Sequence, residues 1–394
     1  MVTARRVLIA NELGDGIGYS MRCLDLARSL RDAGHRPVVA LRNLDVANRL
    51  VDSPDIPLVQ GPYVVGRLTP AARRTGFRPT SFADLMACNG FGSDDHLYSM
   101  LRPWRSLVDL VRPDLVVGTY CPLLATAVHG RIPLLLLGSG YSTPPADASV
   151  FPAFRPDRQP YADQGALLET IRRVQARLGA PLPNVLTDVY RGDDRFVLSF
   201  PELDPYRGCR VEACVGHFEP LAPPQQTRGG RIYVYLAGGD PVPRRIVEAL
   251  AAAGLRGCAY VRGAGDAAWS ETGHAGIRML VEPPPLEATV REASVVVHHG
   301  GLATAQVAMA AGRPQVVIPR YVDQILVAEA MAGLPFVRIA PARGGPRAVV
   351  EAVSSLVVSR EAADTAMVHA HSVRARGLHD ARRLILQACL DRLA

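Results

Sequence analysis

The sequence predicts an α/β fold in which two doubly wound parallel sheets face each other across a cleft. Short apolar runs alternate with helical patterns along most of the 394 residues. Two of these runs, LVVG at 115–118 and PLLLLG at 133–138, are continuously apolar, as parallel strands covered on both faces should be. The alternation stops once, in a segment rich in proline and glycine, and then starts again. The chain is also too long for a single core, since cores stop growing near roughly 250–300 residues.

The first half supplies five strand candidates and one clear helix. The strands are predicted at residues 7–10, 37–41, 115–118, 134–137 and 196–199. The helix is predicted at residues 17–33, because Ile17, Leu24 and similar side chains recur on one stripe. Gly34 follows as a typical C-terminal stop.

The second half repeats the pattern after the segment GHFEPLAPPQQTRGGR, in which no apolar periodicity survives. Its strands are predicted at residues 232–236, 257–261, 294–298 and 315–319. Its helices are predicted at residues 243–253, 302–311, 324–332 and, as one long final helix, 360–393. Both halves are therefore expected to be Rossmann-like.

These patterns predict the domain organisation. Residues 1–215 form an N-terminal domain, residues 216–230 a linker and residues 231–370 a C-terminal domain. Residues 371–394 form a C-terminal helix that could cross back to the N-terminal domain.

The composition excludes several classes of protein. The net charge is +7, yet the chain has no lysine, so a Schiff-base lysine and a P-loop lysine are both absent. The positive charge is spread along the chain without a basic block, which argues against nucleic acid as a partner. No apolar run approaches the ~18 residues of a membrane span. The start lacks a signal-peptide pattern, so a cytoplasmic location is expected. The seven cysteines are scattered, and no metal site is predicted.

The strongest chemical signal is the run VVVHHGGLAT at residues 295–304. A strand ends at His298 and His299, two glycines allow a sharp turn, and Thr304 lies in the first turn of the next helix. A helix N-terminus beside a hydroxyl and an imidazole is suited to phosphate. Asp323 and Gln324 follow the next strand, and a carboxylate beside an amide suits the hydroxyl groups of a sugar.

This run resembles the nucleotide-sugar signature of family 1 glycosyltransferases of the GT-B fold, which typically reads H-H-G-G-x-G-T, then G-x-P and D-Q. Here Ala303 stands in place of the third glycine. The stretches FPELDPYRGC at 200–209 and PDLVVGTYCP at 113–122 also resemble the bacterial natural-product branch of that family. The resemblance implies a set of donor-binding residues: Glu282, Pro283, His299, Gly300, Gly301, Ala303, Thr304, Asp323 and Gln324.

The glycine-rich stretch NELGDGIGYSMR at residues 11–22 resembles the acceptor-side loop of the same branch. The family usually has a histidine after the last glycine, held by an aspartate from a later strand, and this pair acts as general base. Tyr19 and Thr119 stand at these two positions, so both members of the pair are replaced. A phenol with a pKa near 10 is a poor base at neutral pH.

Other groups could then act as base. Asp15, Glu12, His96 and His217 are the candidates, but Asp15 could only shape the glycine turn, and Glu12 could only cap a helix or tie the loop. The candidate catalytic residues are Tyr19, Asp15, Glu12 and Thr119. The candidate acceptor-binding residues are Gly16, Gly18, His96 and Tyr141, with residues 77–101 and 141–158 as acceptor loops.

The resemblance implies an inverting, metal-independent glycosyltransferase whose co-substrate is a nucleoside diphosphate sugar and which needs no other cofactor. The missing base favours a thiol or amine acceptor over an alcohol. Two alternatives stay open. One is a noncatalytic homologue that binds the nucleotide or assists another transferase, and the other is a nucleotide-sugar epimerase. A homodimer is compatible with the sequence.

Overall fold

The computed structural model describes residues 3–14, 17–44, 55–63, 78–227, 229–238, 241–263, 276–340 and 344–394. The chain divides into two compact units. The first unit comprises Met1–Leu198, Tyr206–Cys214 and Arg382–Ala394, and the second comprises Ser199–Pro205 and Val215–Ala381. The predicted domains are contiguous ranges, whereas these units are not.

The first unit contains a parallel six-stranded sheet. Its strands are β1 (Arg6–Asn11), β2 (Arg36–Leu41), β3 (Leu58–Gln60), β4 (Leu115–Thr119), β5 (Leu134–Gly138) and β6 (Asp194–Val197). Its helices are α1 (Ile17–Asp32), α2 (Phe82–Met86), α3 (Asp94–Val111), α4 (Pro122–Val128) and α5 (Gln164–Arg177), with a π-helical turn at Ala87–Phe91 and a 3₁₀ turn at Leu186–Tyr190. The strand order is β3-β2-β1-β4-β5-β6, the doubly wound order that the sequence predicts.

The second unit repeats this architecture. Its strands are β7 (Arg231–Ala237), β8 (Arg256–Arg262), β9 (Ile277–Leu280), β10 (Val295–His298), β11 (Gln315–Val317) and β12 (Val337–Ile339). Its helices are α6 (Val242–Ala252), α7 (Leu286–Glu292), α8 (Leu302–Ala310), α9 (Val322–Met331), α10 (Gly345–Val357) and α11 (Arg360–Ala375). The order β12-β11-β10-β7-β8-β9 is the same doubly wound order, and every pairing is parallel.

Each sheet has one topological switch point, where the strand order reverses. It lies between β1 and β4 in the first unit and between β7 and β10 in the second. Ligands of open α/β sheets bind at the carboxyl ends of the strands beside such a point. The residues that follow these four strands are therefore the expected ligand-binding positions.

The predicted final helix at residues 360–393 is wrong as a single element. It is two helices, α11 and α12 (Arg382–Leu393), and residues 376–381 separate them. The break has a local cause, since Gly377 adopts a φ of +72°, a left-handed conformation that ends a helix. Helix α12 packs on α1 and β4 in the first unit.

The loop conformation predicted for residues 77–101 is also largely wrong for residues 78–101, the part that the structure describes. Helix α2, the π-helical turn and the start of α3 occupy most of it. Ser81 caps α2 by accepting a hydrogen bond from the N–H of Asp84. Within the parts of the chain that the structure describes, no helix combines the length and the apolar character needed to cross a membrane.

The predicted linker, residues 216–230, is part of the second unit and forms hydrogen bonds to other segments of that unit. His217 N–H donates to the carbonyl of Leu378 at 3.0 Å, and Leu221 N–H donates to the carbonyl of His379 at 2.8 Å. Further along, the buried guanidinium of Arg313 donates to the carbonyl of Gln225. Burial lowers the pKa of Arg313 to about 10.

Gly216 marks the closest backbone approach in this segment. Its φ is +90°, and a β-carbon there would lie 2.1 Å from the carbonyl oxygen of Leu378. Because backbone atoms cannot rotate away as a side chain can, this position has no room for any other residue.

We predict that Gly216→Ala destabilises the second unit by about 3 kcal/mol, combining overpacking with the strain of a left-handed conformation. Differential scanning calorimetry measures the change. Gly254→Ala is the matched control, because Gly254 also has a left-handed φ, +77°, but a β-carbon there would meet no atom within 4 Å. We expect the control to lose only about 1 kcal/mol. Equal losses in the two variants would contradict the steric explanation.

Candidate active site

His298 shapes the turn that follows β10. Its side chain is buried, and its Nδ1 accepts a hydrogen bond from the N–H of Gly300 at 2.9 Å. Its Nε2 donates to Oε1 of Gln315 at 2.8 Å. Burial lowers the pKa of His298 to about 4, so the ring is neutral, as this pair of bonds requires.

His299 joins the ends of three strands. Its Nδ1 donates to the carbonyl of Ile318 at 2.8 Å, after β11, and its Nε2 accepts from the N–H of Ala237 at 2.9 Å, at the end of β7. The sequence predicts a contact between His299 and the donor diphosphate. In the structure, both ring nitrogens bond to the backbone at the switch point.

The two glycines of this turn have different environments. Gly300 has a φ of +85°, and a β-carbon there would lie 2.9 Å from Val317 and 3.0 Å from the carbonyl oxygen of Gln324. Gly301 has open space at the equivalent position and is the N-cap of α8. No side chain caps this helix. Ala303 in its first turn is exposed, and Thr304 is buried. The α8 N-terminus therefore presents backbone N–H groups with space around them.

Gln324 caps its own helix. Its Oε1 accepts from the N–H of Arg320 at 3.0 Å and from the N–H of Tyr321 at 3.3 Å. Asp323, in the first turn of α9, is an exposed residue. Desolvation nevertheless raises the pKa of its carboxyl above the usual value, and hydrogen bonds from the backbone N–H groups of Gln324 and Asp323 oppose this shift. Both side chains of the predicted sugar-binding pair are therefore bonded to the backbone.

Arg320 is a residue that the sequence analysis missed. Its Nη1 donates to the carbonyl of Ala237, so it lies at the same three-strand junction as His299. Its position was the only signal in the sequence that could have marked it as a binding residue. Arg320 lies between the end of β11 and Asp323, and in a chain without lysine an arginine must supply any positive charge that is not a histidine.

Glu282 and Pro283 lie on the same edge of the sheet but away from this junction. They follow β9 and are exposed. Three strand spacings, or about 14 Å, separate β9 from β10 in the sheet order. The structure thus places these residues at the carboxyl edge without bringing them into contact with His299.

Glu12 is buried in the first unit, directly after β1. Its carboxylate accepts from the N–H of Leu123 at 3.0 Å and from the N–H of Leu124 at 3.1 Å, which are the first orphan donors of α4. Burial raises the pKa of Glu12 to about 8. The structure supports the structural alternative, in which Glu12 caps a helix.

The first glycine of the glycine-rich loop makes room for Tyr19. A β-carbon at Gly14 would lie 2.4 Å from Cγ of Tyr19 and 2.6 Å from Oδ1 of Asn11. Asn11 closes the loop, because its side chain accepts from the N–H of Gly14 at 3.0 Å and donates to its carbonyl at 2.7 Å. The ring of Tyr19 lies 6.3 Å from that of Tyr120, and the guanidinium carbon of Arg22 lies 5.7 Å from its centre.

Thr119 lies at the end of β4, paired in register with Asn11 of β1. It is 1% exposed, and its hydroxyl has no hydrogen-bond partner among the residues that the structure describes. Because residues paired in register point to the same face of a sheet, Thr119 lies on the same side as Asn11, whose side chain closes the loop before Tyr19.

The other acceptor-side candidates lie in different parts of the chain. Tyr141 follows β5, and its ring lies 6.0 Å from that of Tyr120. Gly18 lies in the first turn of α1, and a β-carbon there would meet nothing within 4 Å. His96 lies in the first turn of α3, not in a loop. Asp15 and Gly16 are outside the described residues. His217, in the second unit, bonds to the carbonyl of Glu219 at 3.0 Å through its Nδ1.

Comparison with known proteins gives a consistent class of relatives. No family model matches the sequence. The chain is 33% identical over 154 residues to glycosyltransferase GtfC of Amycolatopsis orientalis. This match covers 38% of the chain and 36% of that protein, so it spans about a third of the curated relative.

Solved structures match over nearly the full length. The glycotransferase of kitacinnamycin has a TM-score of 0.68 at 19% identity and full coverage of both chains. The calicheamicin glycosyltransferase CalG4 has a TM-score of 0.71 at 17% identity, covering 99% of this chain and 98% of that one. The spinosyn rhamnosyltransferase SpnG complexed with thymidine diphosphate has a TM-score of 0.63 at 18% identity, covering 94% and 96%. The chain therefore has the GT-B fold of bacterial natural-product glycosyltransferases, which it resembles in both sequence and structure.

Proposed function

We propose that the chain is a glycosyltransferase that moves a sugar, with inversion, from a nucleoside diphosphate sugar to a small-molecule acceptor. The α8 N-terminus carries this proposal. It is uncapped, lies at the switch point of the second sheet and has open space beside Gly301. A diphosphate is the ligand that such a helix end favours, since the free N–H groups and the helix dipole both attract anions. Among the structural relatives, SpnG is complexed with thymidine diphosphate and VinC with dTDP.

The donor would extend along the carboxyl edge of the second sheet. The diphosphate would contact Gly301, Ala303 and Thr304 at α8, and Arg320 would add a positive charge nearby. Asp323 would bind sugar hydroxyl groups, and the base would lie toward Glu282 and Pro283. In this arrangement, the leaving diphosphate is neutralised by the helix end and a guanidinium, without a metal ion.

Three candidate catalytic residues on the acceptor side lie within the part of the chain that the structure describes, and none of the three has the environment of a general base. Glu12 is buried and bonded to the backbone, Thr119 is a buried hydroxyl, and Tyr19 carries a phenol. A thiol is partly ionised near neutral pH, and an unprotonated amine attacks with its own lone pair. These nucleophiles need no base, so we propose a thiol or an amine as the attacking group.

A noncatalytic nucleotide-binding protein is the second candidate. The observation that favours it is the packing of Tyr19 against Gly14 and Tyr120, since the resemblance implies a base at the position of Tyr19. If the protein releases free nucleoside diphosphate from a nucleoside diphosphate sugar in the presence of any acceptor, this candidate is excluded.

We predict that at least one nucleoside diphosphate stabilises the protein. At 100 times its Kd, a ligand that binds only the folded state should add about 2.7 kcal/mol. A thermal-shift panel of nucleoside diphosphates, with the matching nucleosides as controls, measures this effect. If no nucleoside diphosphate raises the Tm, the donor side of the proposal is wrong.

We predict opposite effects of Ala303→Asp on stability and on nucleotide binding. An acidic side chain in the first turn of α8 should stabilise the fold by about 0.3–1 kcal/mol through the helix dipole. The same charge should weaken binding of a nucleoside diphosphate about tenfold or more by repulsion. Calorimetric titration and thermal unfolding measure the two effects, and Ala303→Asn is the uncharged control. If the Asp variant binds the nucleoside diphosphate with unchanged affinity, the diphosphate does not bind at the N-terminus of α8.

We predict that the double variant Tyr19→His, Thr119→Asp gains turnover with alcohol acceptors by about 100-fold, because it installs a base and the carboxylate that orients it. Either single variant should gain much less, and Tyr19→His with Thr119→Asn is the uncharged control. Tyr19→Phe should keep its turnover with thiol or amine acceptors. A loss of that turnover would show that the phenol takes part in the reaction.

A further inference from the structure

A buried ion cluster in the first unit involves Glu212. Its carboxylate contacts Nε of Arg195 and, at 2.5 Å, Nη1 of Arg210. The side chains of Arg195 and Arg210 are 10% and 2% exposed, and that of Glu212 is 21% exposed. Both guanidinium groups therefore contact the same carboxylate in a largely buried cluster.

Both arginines donate to the segment after β5, and Nη1 of Arg195 also donates to the carbonyls of Tyr190 and Arg191. Nη2 of Arg210 donates to the carbonyl of Thr143 at 2.9 Å and to that of Gly140 at 3.3 Å. Nη2 of Arg195 donates to the carbonyl of Pro144. Three backbone carbonyls of residues 140–144 are therefore bonded to guanidinium groups that Glu212 orients. We call residues 139–144 the β5 loop.

The β5 loop carries Tyr141, and ring contacts connect this tyrosine to the segment that contains Glu212. Tyr206 lies 6.0 Å from Phe154, and Phe154 lies 5.6 Å from Tyr141. Arg210 lies over the ring of Tyr206 at 5.5 Å. The ring of Tyr141 also contacts that of Tyr120, and the Tyr120 ring contacts that of Tyr19.

We propose that Glu212 is a positioning residue for the acceptor. By orienting Arg195 and Arg210, it fixes the β5 loop and thereby the ring of Tyr141, which forms part of the acceptor-binding surface. This inference rests on the proposed glycosyltransferase function. Glu212 itself touches neither substrate, and its effect passes through the two arginines.

Neutralising Glu212 should loosen the β5 loop. The two largely buried guanidinium groups would then lose the Glu212 carboxylate that both contact, and removing one partner from a buried ion cluster is strongly unfavourable. The arginines are expected to move toward water and release the carbonyls of Gly140, Thr143 and Pro144. Tyr141 would lose its fixed orientation, while the second unit would be unchanged.

The test compares Glu212→Gln with the wild type in two measurements. Hydrogen exchange followed by mass spectrometry should show exchange in residues 139–144 faster by about tenfold, with residues of α1 unchanged. Steady-state kinetics should show an acceptor KM about five- to tenfold higher, with kcat and the affinity for the nucleoside diphosphate within twofold. Arg210→Lys is the second variant. It keeps the charge but lacks the fork that reaches both carbonyls, so it should show the same pattern.

Glu169→Gln is the matched control, because it neutralises an exposed carboxylate of the same unit, 3.0 Å from Arg172. It should leave both measurements unchanged. Unchanged exchange of the β5 loop in Glu212→Gln would overturn the proposal. So would faster exchange accompanied by an unchanged acceptor KM, since that result assigns the cluster a purely structural role. If no acceptor is turned over by the wild type, the proposed function fails, and the exchange experiment still decides whether Glu212 fixes the loop.

Discussion

The carboxyl edge of each sheet depends on one constraint: buried backbone N–H groups at the strand-to-helix turns need acceptors. Polar side chains meet this need at several of these turns. Asn11 bonds to Gly14, Glu12 bonds to the start of α4, and Gln324 bonds to the start of α9. His298 and His299 do the same around β10. Several side chains that the sequence motifs mark as candidate catalytic or binding groups therefore hold the turns of the candidate site in shape.

In this arrangement, the side chains and the backbone of the candidate site have different roles. Side chains define the turn, and the backbone at the α8 N-terminus remains available for a ligand. A backbone site of this kind tolerates changes in side chain, which is consistent with Ala303 replacing the usual glycine. In the second unit, Arg320 and Asp323 follow β11. In the first unit, the rings of Tyr19 and Tyr141 both lie near that of Tyr120.

The central strands and the fold class could be read from the sequence because buried parallel strands are uniformly apolar. Strands β3, β9 and β12 were missed, and all three are short edge strands with exposed positions. The histidine turn was found from its motif. The bonds of His299 and Gln324 to the backbone could not be, since they join residues far apart in the chain or depend on the turn already being formed. Arg320 had no motif to mark it.

The discontinuity of the first unit has a consequence for biosynthesis. Its last helix, α12, packs on α1 and β4, yet it leaves the ribosome only after the whole second unit has been made. At about 5–20 residues per second, α1 and β4 are synthesised many seconds before the helix that packs on them. During this interval, the apolar surface that Ile385, Cys389 and Leu393 later cover is open to other partners. Loss of α12 would therefore expose apolar surface in the unit that is synthesised first.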